Sequence, residues 1–195
     1  MSMALRKEES SYTYSDYLTW DDGKRWEIID GVVYDMSPAP IIDHQRISGA
    51  LFYMIYNFLS DKRCEVFSAP FDVILPKIGE KEDDSTTVVQ PDIVVVCDNQ
   101  KLTKRGCTGA PDLVIEILSL STAKKDMTVK MKLYQRAGVR ELWVVHPEEK
   151  WVQIFIFSEG NLVSMQSFDD SGLPEVSVLP GLTIELPRVF AAAEF

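Results

Sequence analysis

Two carboxylates in the 195-residue chain stand where apolar side chains belong. Glu116 lies inside Leu113-Val114-Ile115-Glu116-Ile117-Leu118, and Asp92 opens Ile93-Val94-Val95-Val96 directly after Gln90-Pro91. A lone buried carboxylate costs far more than a domain can spare, so each needs a cation, hydrogen-bond donors or a proton. Two such acids on adjacent strands could share a divalent metal ion, whose oxygen coordination offsets the desolvation. Alternatively, each pairs with a buried Arg or Lys, or accepts hydrogen bonds from backbone and Tyr. Glu27, in Trp26-Glu27-Ile28-Ile29, is a third candidate acid. Asp112 follows Pro111 as Asp92 follows Pro91, and is a rival first ligand. It sits four residues from Glu116 on one strand, about 13 Å at about 3.3 Å per residue, too far to share one ion. Asp92 is therefore the better partner.

A cation and a histidine complete the set. On a helix over residues 122–137, Met127, Met131, Tyr134 and Gly138 fall in one narrow stripe at about 100° per residue, with Lys130 at its edge. Lys125 and Lys132 project the other way. From a helix directly after the Glu116 strand, Lys130 can reach that carboxylate. The alternatives are a lysine stem lying along the core edge and an i,i+4 pair with Asp126. His44, in the first turn of an earlier helix, suits a proton shuttle or a residue supporting a ligand, and equally a capping or packing role. His146, in Val145-His146-Pro147, reads as a strand end entering a turn.

The elements that must position these residues follow from pattern. Asp30-Gly31 between Trp26–Ile29 and Val32–Tyr34 predicts a tight hairpin, because both turn residues must take positive φ. Asp43 predicts a helix cap, followed by Ile47, Leu51, Met54, Ile55 and Phe58 at helical spacing. Cys64 to Leu75 reads as extended and broken at Pro70, and residues 77–87 as a loop. Val88 to Cys97 and Leu113 to Leu118 are nearly continuous apolar runs, suiting central strands buried on both faces. Strands are expected over Glu141–Val145 and Trp151–Phe157, with shorter pieces near Leu162–Phe168 and Leu182–Leu186. The order predicts an α/β (α+β) single domain, a mixed sheet flanked by helices, over residues 12–190, with residues 1–11 a flexible terminus.

Composition narrows the function. With 46% apolar and 26% charged residues the chain is neither disordered nor fibrous. Its most apolar stretch, Ile47 to Leu59, is too short and interrupted for a membrane span, and the N-terminus carries no secretory h-region. Cys64, Cys97 and Cys107 lack metal-site spacing and predict reduced thiols in a cytoplasmic protein. The net charge of −10 argues against a nucleic-acid partner. Between Lys101 and Arg140, however, nine Lys/Arg face three acids, a local +6 that leaves −16 elsewhere. A solvated helix face and a strip for an anionic polymer both explain this excess. No Gly-x-Ser-x-Gly, His-Glu-x-x-His or Gly-rich phosphate loop supports a small-molecule hydrolase.

The combination of Pro91-Asp92, Glu116-Ile117-Leu118-Ser119, Ser121-Thr122, Asp126, Lys130, Tyr134, Gly138-Val139 and Trp143-Val144-Val145 resembles a large family of uncharacterised restriction-endonuclease domains. That family lies within the PD-(D/E)XK phosphodiesterase superfamily. Trp26-Glu27-Ile28-Ile29-Asp30-Gly31 and the His44 helix match it too, over residues 13–188. The resemblance implies a restriction-endonuclease-like fold and a Mg²⁺-dependent (or Mn²⁺-dependent) endonuclease acting on DNA rather than RNA. Asp92 and Glu116 would be metal ligands, Glu27 the additional acid, and Lys130 the lysine moved onto the helix. Two positions depart from the pattern: Leu118 stands where the superfamily places its lysine, and His146 where relatives commonly carry Asp. Lys101, Lys104, Arg105, Lys124 and Lys125 are candidate phosphate contacts. Leu118 and the net charge favour the alternative, an inactive nuclease fold that binds nucleic acid or a protein. The apolar pieces Val176–Leu186 and Val189-Phe190 suggest an edge that pairs in a homodimer.

Overall fold

A computed structural model describes residues 11–36, 41–119 and 123–194, without the side chains of 123–126. Most of the expected flexible terminus, Ser121, Thr122 and the side chains of Lys124, Lys125 and Asp126 therefore lie outside the described residues.

The chain opens with a short helix α1 (Tyr14–Tyr17), closed by a capping box between Thr13 and Asp16. The hairpin β1 (Trp26–Ile29) and β2 (Val32–Asp35) turns through Asp30 and Gly31 at φ 50° and 78°. A Cβ on Gly31 would also collide with the side chain of Ser11. Next come α2 (Ile42–Leu59), β3 (Glu65–Ser68), β4 (Asp72–Ile74), β5 (Val88–Val89) and β6 (Ile93–Val96). After β7 (Gly106–Thr108), β8 (Leu113–Ile117), α3 (Ala123–Ala137) and β9 (Glu141–His146) form a parallel crossover. Gly138, at φ 94°, ends α3. β10 (Trp151–Ser158), β11 (Asn161–Asp169) and α4 (Leu186–Ala191) complete the chain.

The expected mixed sheet is two mixed sheets. The larger runs β11-β10-β9-β8-β6-β3 and the smaller β2-β1-β5-β4-β7. Large-sheet residues alternate faces, and both faces are covered. Ile93, Val95, Ile115, Trp143 and Val145 pack with Ile47, Leu51 and Ile55 of α2 and with α4. Val94, Val114, Leu142 and Val144 pack with Leu133 and Tyr134 of α3 and with Ile29, Val73 and Val89 of the small sheet. The large sheet is thus the middle layer.

Several expectations need correction. The run 88–97 is not one strand: it breaks at Gln90-Pro91-Asp92, where a missing N–H lets the chain leave one sheet for the other. Asp43 lies in the first turn of α2, and Ile41 holds the cap position with no side-chain bond. Leu182–Leu186 forms no strand. Val176, Ile184, Leu186, Val189 and Phe190 are core residues, so they cannot be the dimer edge; the exposed edge of the large sheet is β11. Cys64 and Cys97, flanking the paired β3 and β6, are joined in a disulfide, which leaves Cys107 as the free thiol. Among the described residues no helix is long and apolar enough to cross a membrane.

Glu141 escaped the sequence reading. It is fully buried, and it takes the Trp143 Nε1–H at 2.6 Å and the Val178 N–H at 2.9 Å, tying the C-terminal segment to β9. Glu141→Leu strands both donors, at about 1–3 kcal/mol each. Urea unfolding should show a loss of at least about 2 kcal/mol; a neutral result would mean that the segment is held by its apolar side chains alone.

Candidate functional site

The site grows from strand register. Antiparallel β6 and β8 pair Ile93 with Ile115 and Val94 with Val114, so one further step sets Asp92 opposite Glu116. Opposed residues share a face, here the face of Val114, which looks towards α3 and the small sheet. Glu27 lies on β1 two residues before Ile29, which packs in that same cluster. The two sheets thus present buried acids to one another.

Lys130 of α3 lies between them. Its Nζ donates to Glu27 Oε1 at 2.8 Å and to Glu116 Oε1 at 3.0 Å. Tyr134, one turn on, donates its hydroxyl to the same Glu116 oxygen at 2.5 Å. Glu27 Oε1 also accepts the Gln90 N–H at 2.9 Å. Asp92 Oδ2 accepts the Ile117 N–H at 2.7 Å and lies 3.2 Å from His44 Nε2, which the first turn of α2 brings over the strand end. Asp92, Glu116, Lys130, Glu27 and His44 are therefore brought together.

The remaining expected residues lie apart from this cluster. Asp112 accepts the Cys97 N–H at 2.7 Å and pairs with Arg140 at 3.1 Å, a boundary role at the other end of the same strands. His146 accepts the Glu149 N–H through Nδ1 and packs beside Trp151, as a turn residue. Lys101 donates to the Ala110 carbonyl, while Lys104 and Arg105 are exposed. Tyr134 belongs to the cluster, where sequence placed it in a core stripe and in the family pattern without a role at the site; its i+4 spacing from Lys130 was the available signal. Gln90 was missed as well: its backbone N–H holds Glu27, and its side chain ties in Arg25, Tyr17 and Asp72.

Burial pushes the Glu116 carboxyl up, against the opposing pull of Lys130, to about 7; Asp92 and Glu27 add to the rise. Burial works against the Lys130 charge, but Glu116 and Glu27 outweigh it and raise its pKa, so the ammonium persists. Burial and the neighbouring acids hold the Tyr134 hydroxyl well above its ordinary range, which keeps it a donor. His44 is pulled down by burial and raised more by its bond to Asp92, with a net upward shift. The Cys107 thiol is pushed by burial up to about 11 and is unsuited to nucleophilic work.

The donor set fits a hard cation. Asp92 Oδ1 and Glu116 Oε2 accept no hydrogen bond from the described residues, whereas their companion oxygens are fully engaged. Among the described residues no group of three or more His, Cys, Asp or Glu is placed to hold a metal. Magnesium needs no such group, since one or two carboxylates and retained waters satisfy it.

Comparison with known proteins agrees with this fold. The model of the Uma2 family, described as "Putative restriction endonuclease", matches residues 14–187. The chain is 28% identical over 121 residues to the uncharacterized protein slr1290 of Synechocystis sp., across 61% of this chain. It spans 60% of the length of that curated relative. The crystal structure of a putative nuclease belonging to DUF820 from Anabaena variabilis superposes with a TM-score of 0.74 at 20% identity. That match covers 93% of this chain and 99% of the other, and at this identity it establishes the fold.

Removing the shared cation should be costly. Lys130→Met leaves the buried Glu27 carboxylate without its counter-charge and removes the pull that lowers the Glu116 carboxyl, which then stays protonated, a loss of about 3–5 kcal/mol in urea unfolding at neutral pH. Restoring stability by adding Glu27→Gln and Glu116→Gln would confirm that charge, not packing, is at stake. The pH response has a definite sign. With its folded value at about 7 against an ordinary 4.5, Glu116 binds its proton more tightly in the folded state. Its contribution is present below about 4.5 and lost as pH rises to about 7. Unfolding curves across that window should show this falling component in wild type and its absence in Glu116→Gln; identical slopes would contradict the assignment.

Proposed function

The chain belongs to the Uma2 family, and from that premise we propose that it is a metal-dependent endonuclease hydrolysing phosphodiester bonds of DNA. The observation that carries the reading is the free oxygen on each of Asp92 and Glu116, opposed across two strands beside an ammonium held by Glu27. We infer that Asp92 and Glu116 would hold Mg²⁺ or Mn²⁺, the kind of ion that restriction-endonuclease-like proteins generally use. Once bound, such an ion lowers the pKa of a coordinated water and stabilises charge developing on the phosphoryl group.

The chain's own residues prepare the site. The Ile117 N–H and His44 fix one oxygen of Asp92, and Lys130 with Tyr134 fixes one oxygen of Glu116, so the second oxygen of each is aimed without reorganisation. Glu27 holds Lys130 in place. The Lys130 ammonium puts a permanent positive charge where a phosphate would sit, in the role that Leu118 cannot fill. Lys104 and Arg105 are exposed and suited to contacts along the DNA backbone. Two copies, one per strand, would suit duplex cleavage in the cytoplasm.

One observation favours the rival reading of an inactive nuclease fold. Every buried acid of the cluster already has a protein donor, so the site is stable without metal.

Plasmid, linear and single-stranded DNA, and RNA, incubated with Mg²⁺ and with Mn²⁺, separate the two. Metal-dependent cleavage of DNA, reduced at least about a hundredfold in both Glu116→Ala and Lys130→Ala, is the expected result. Loss in Glu116→Ala alone would remove Lys130 from its role. Failure of any substrate to be cut, with no thermal stabilisation of wild type by either metal, would leave the inactive fold. Apparent Mn²⁺ affinity should rise with pH to about 7 and then level, since the metal displaces the Glu116 proton; calorimetry that shows no such rise would exclude Glu116 as a ligand.

A further inference from the structure

We propose that the outward face of α2 is the contact through which two copies of this chain pair, antiparallel about a two-fold axis at Gly49. The pairing gives a surface to the two copies of the nuclease reading, but it stands on the face itself and not on cleavage.

That face carries no charge. The exposed residues of α2 are Ile42, Gln45, Gly49, Tyr53, Tyr56 and Asn57. At about 100° per residue the first five fall within about 80° of one another, opposite the buried stripe of Ile47, Leu51 and Ile55. The charged residues of the helix, Asp43 and Arg46, lie half-buried at its flanks. Ile42, Tyr53 and Tyr56 are 54%, 64% and 56% exposed, so three large side chains share one strip. A single exposed apolar residue is ordinary, whereas a contiguous strip of them marks a contact surface.

Gly49 has no role inside the chain. It lies in mid-helix without a left-handed φ, and a Cβ built on it would meet nothing within 4 Å. Alanine would fit there and would hold the helix better. At the centre of an uncharged strip, such a glycine is what the close approach of a second backbone requires.

The strip also matches itself. Ile42 and Tyr56 lie seven residues either side of Gly49, and Gln45 and Tyr53 lie four. An antiparallel copy crossing at Gly49 therefore sets Ile42 against Tyr56 and Gln45 against Tyr53, with the two glycines facing at the axis. The first pair is an apolar contact, and the second joins an amide to a phenol. Charge selects this occupant. Two chains of net charge −10 repel over most of their surfaces, and here no acid meets its like. A nucleic acid would find no cation on the exposed strip to meet its phosphates. His44 lies five residues before Gly49, about 7.5 Å along the helix and on its buried side. Pairing thus places one acid cluster behind each of the two helices.

Sedimentation velocity across micromolar concentrations should show a dimer in wild type, weakened at least about tenfold by Gly49→Leu and by Tyr53→Glu. Met165→Glu, on the exposed edge strand β11, should leave it unchanged. Residues 49 and 53 face solvent in the monomer, so the thermal midpoint of the separated chains should not fall. Gly49→Cys, oxidised with diamide, should run as a covalent dimer because the axis brings the introduced thiols together, whereas Met165→Cys should not. The native cysteines do not interfere, since Cys64 and Cys97 are joined and Cys107 is buried. Should Tyr53→Glu fail to fold, the cross-link and Gly49→Leu still decide. A monomeric wild type, or a dimer that Gly49→Leu leaves intact and Met165→Glu breaks, would overturn the proposal. Cleavage of DNA by a monomer would overturn it and leave the nuclease reading standing. A dimer that Gly49→Leu breaks, and that neither cuts any substrate nor takes up metal, would uphold it and count against that reading.

Discussion

One ammonium joins three layers of this protein. Lys130 comes from α3, Glu27 from the small sheet and Glu116 from the large sheet, and the two ion pairs fix how those layers meet. Apolar packing holds the same layers together, but it is tolerant of small slips, whereas buried charges are not. A displacement of one residue along β8 would turn Glu116 to the opposite face and leave the lysine with a single partner. The arrangement carries one negative charge too many, and the protein resolves it in two ways. The Tyr134 hydroxyl donates to the oxygen that Lys130 also holds, and the Glu116 carboxyl keeps its proton to about neutral pH. A group poised in that way yields its proton readily to an incoming cation, which links the stability of the fold to the chemistry proposed for it.

The buried acids of the chain divide by what their second oxygen does. Asp92 and Asp112 are related: each follows a proline, each begins a strand, and each accepts the N–H at the end of the neighbouring antiparallel strand, Ile117 in one case and Cys97 in the other. The Pro-Asp pairs are thus strand starts before they are anything else. Asp112 then spends its other oxygen on Arg140, and Glu141 divides its two between Trp143 and Val178. Asp92 and Glu116 each keep one oxygen out of such bonds. Burial alone would nominate Glu27, Asp112, Glu116 and Glu141 and pass over half-buried Asp92; an oxygen left out of such bonds, kept by Asp92, Glu116 and Glu27, separates the clustered acids from the two that close the fold.

Much of this was legible in the sequence. The Asp30-Gly31 hairpin, the two-faced apolar strands and the helix that delivers Lys130 follow from local rules of φ, period and capping. Glu116, Asp92 and Glu27 were legible as candidates because an acid inside or beside an apolar run has few explanations, whereas Lys130 stood out by its place at the edge of a helical stripe and His44 by its place at a helix start. What escaped depends on contacts between distant segments. The break at Pro91 sends one apolar run into two sheets, and nothing in its composition distinguishes Val88-Val89 from Ile93–Val96. The C-terminal apolar pieces gave no sign that they would cap the core and not form an edge, because burial is decided by what they meet. The Cys64–Cys97 pairing, at a separation of 33 residues, appears only once β3 and β6 are neighbours. Glu141 was hidden in plain view at a strand start, a position where an exposed acid is ordinary.

The same accounting changes what the basic stretch can mean. Nine cations between 101 and 140 suggested a strip for an anionic polymer, yet several are committed inside the protein. Lys130 is buried between two acids, Arg136 pairs with Asp30, Arg140 pairs with Asp112, and Lys101 is bound to a carbonyl. Surface electrostatics on a chain of net charge −10 cannot then supply broad, sequence-independent attraction for nucleic acid. An acidic protein that works on a polyanion must concentrate its attraction at the point of chemistry, in a divalent ion and a small number of cations whose charge is not cancelled.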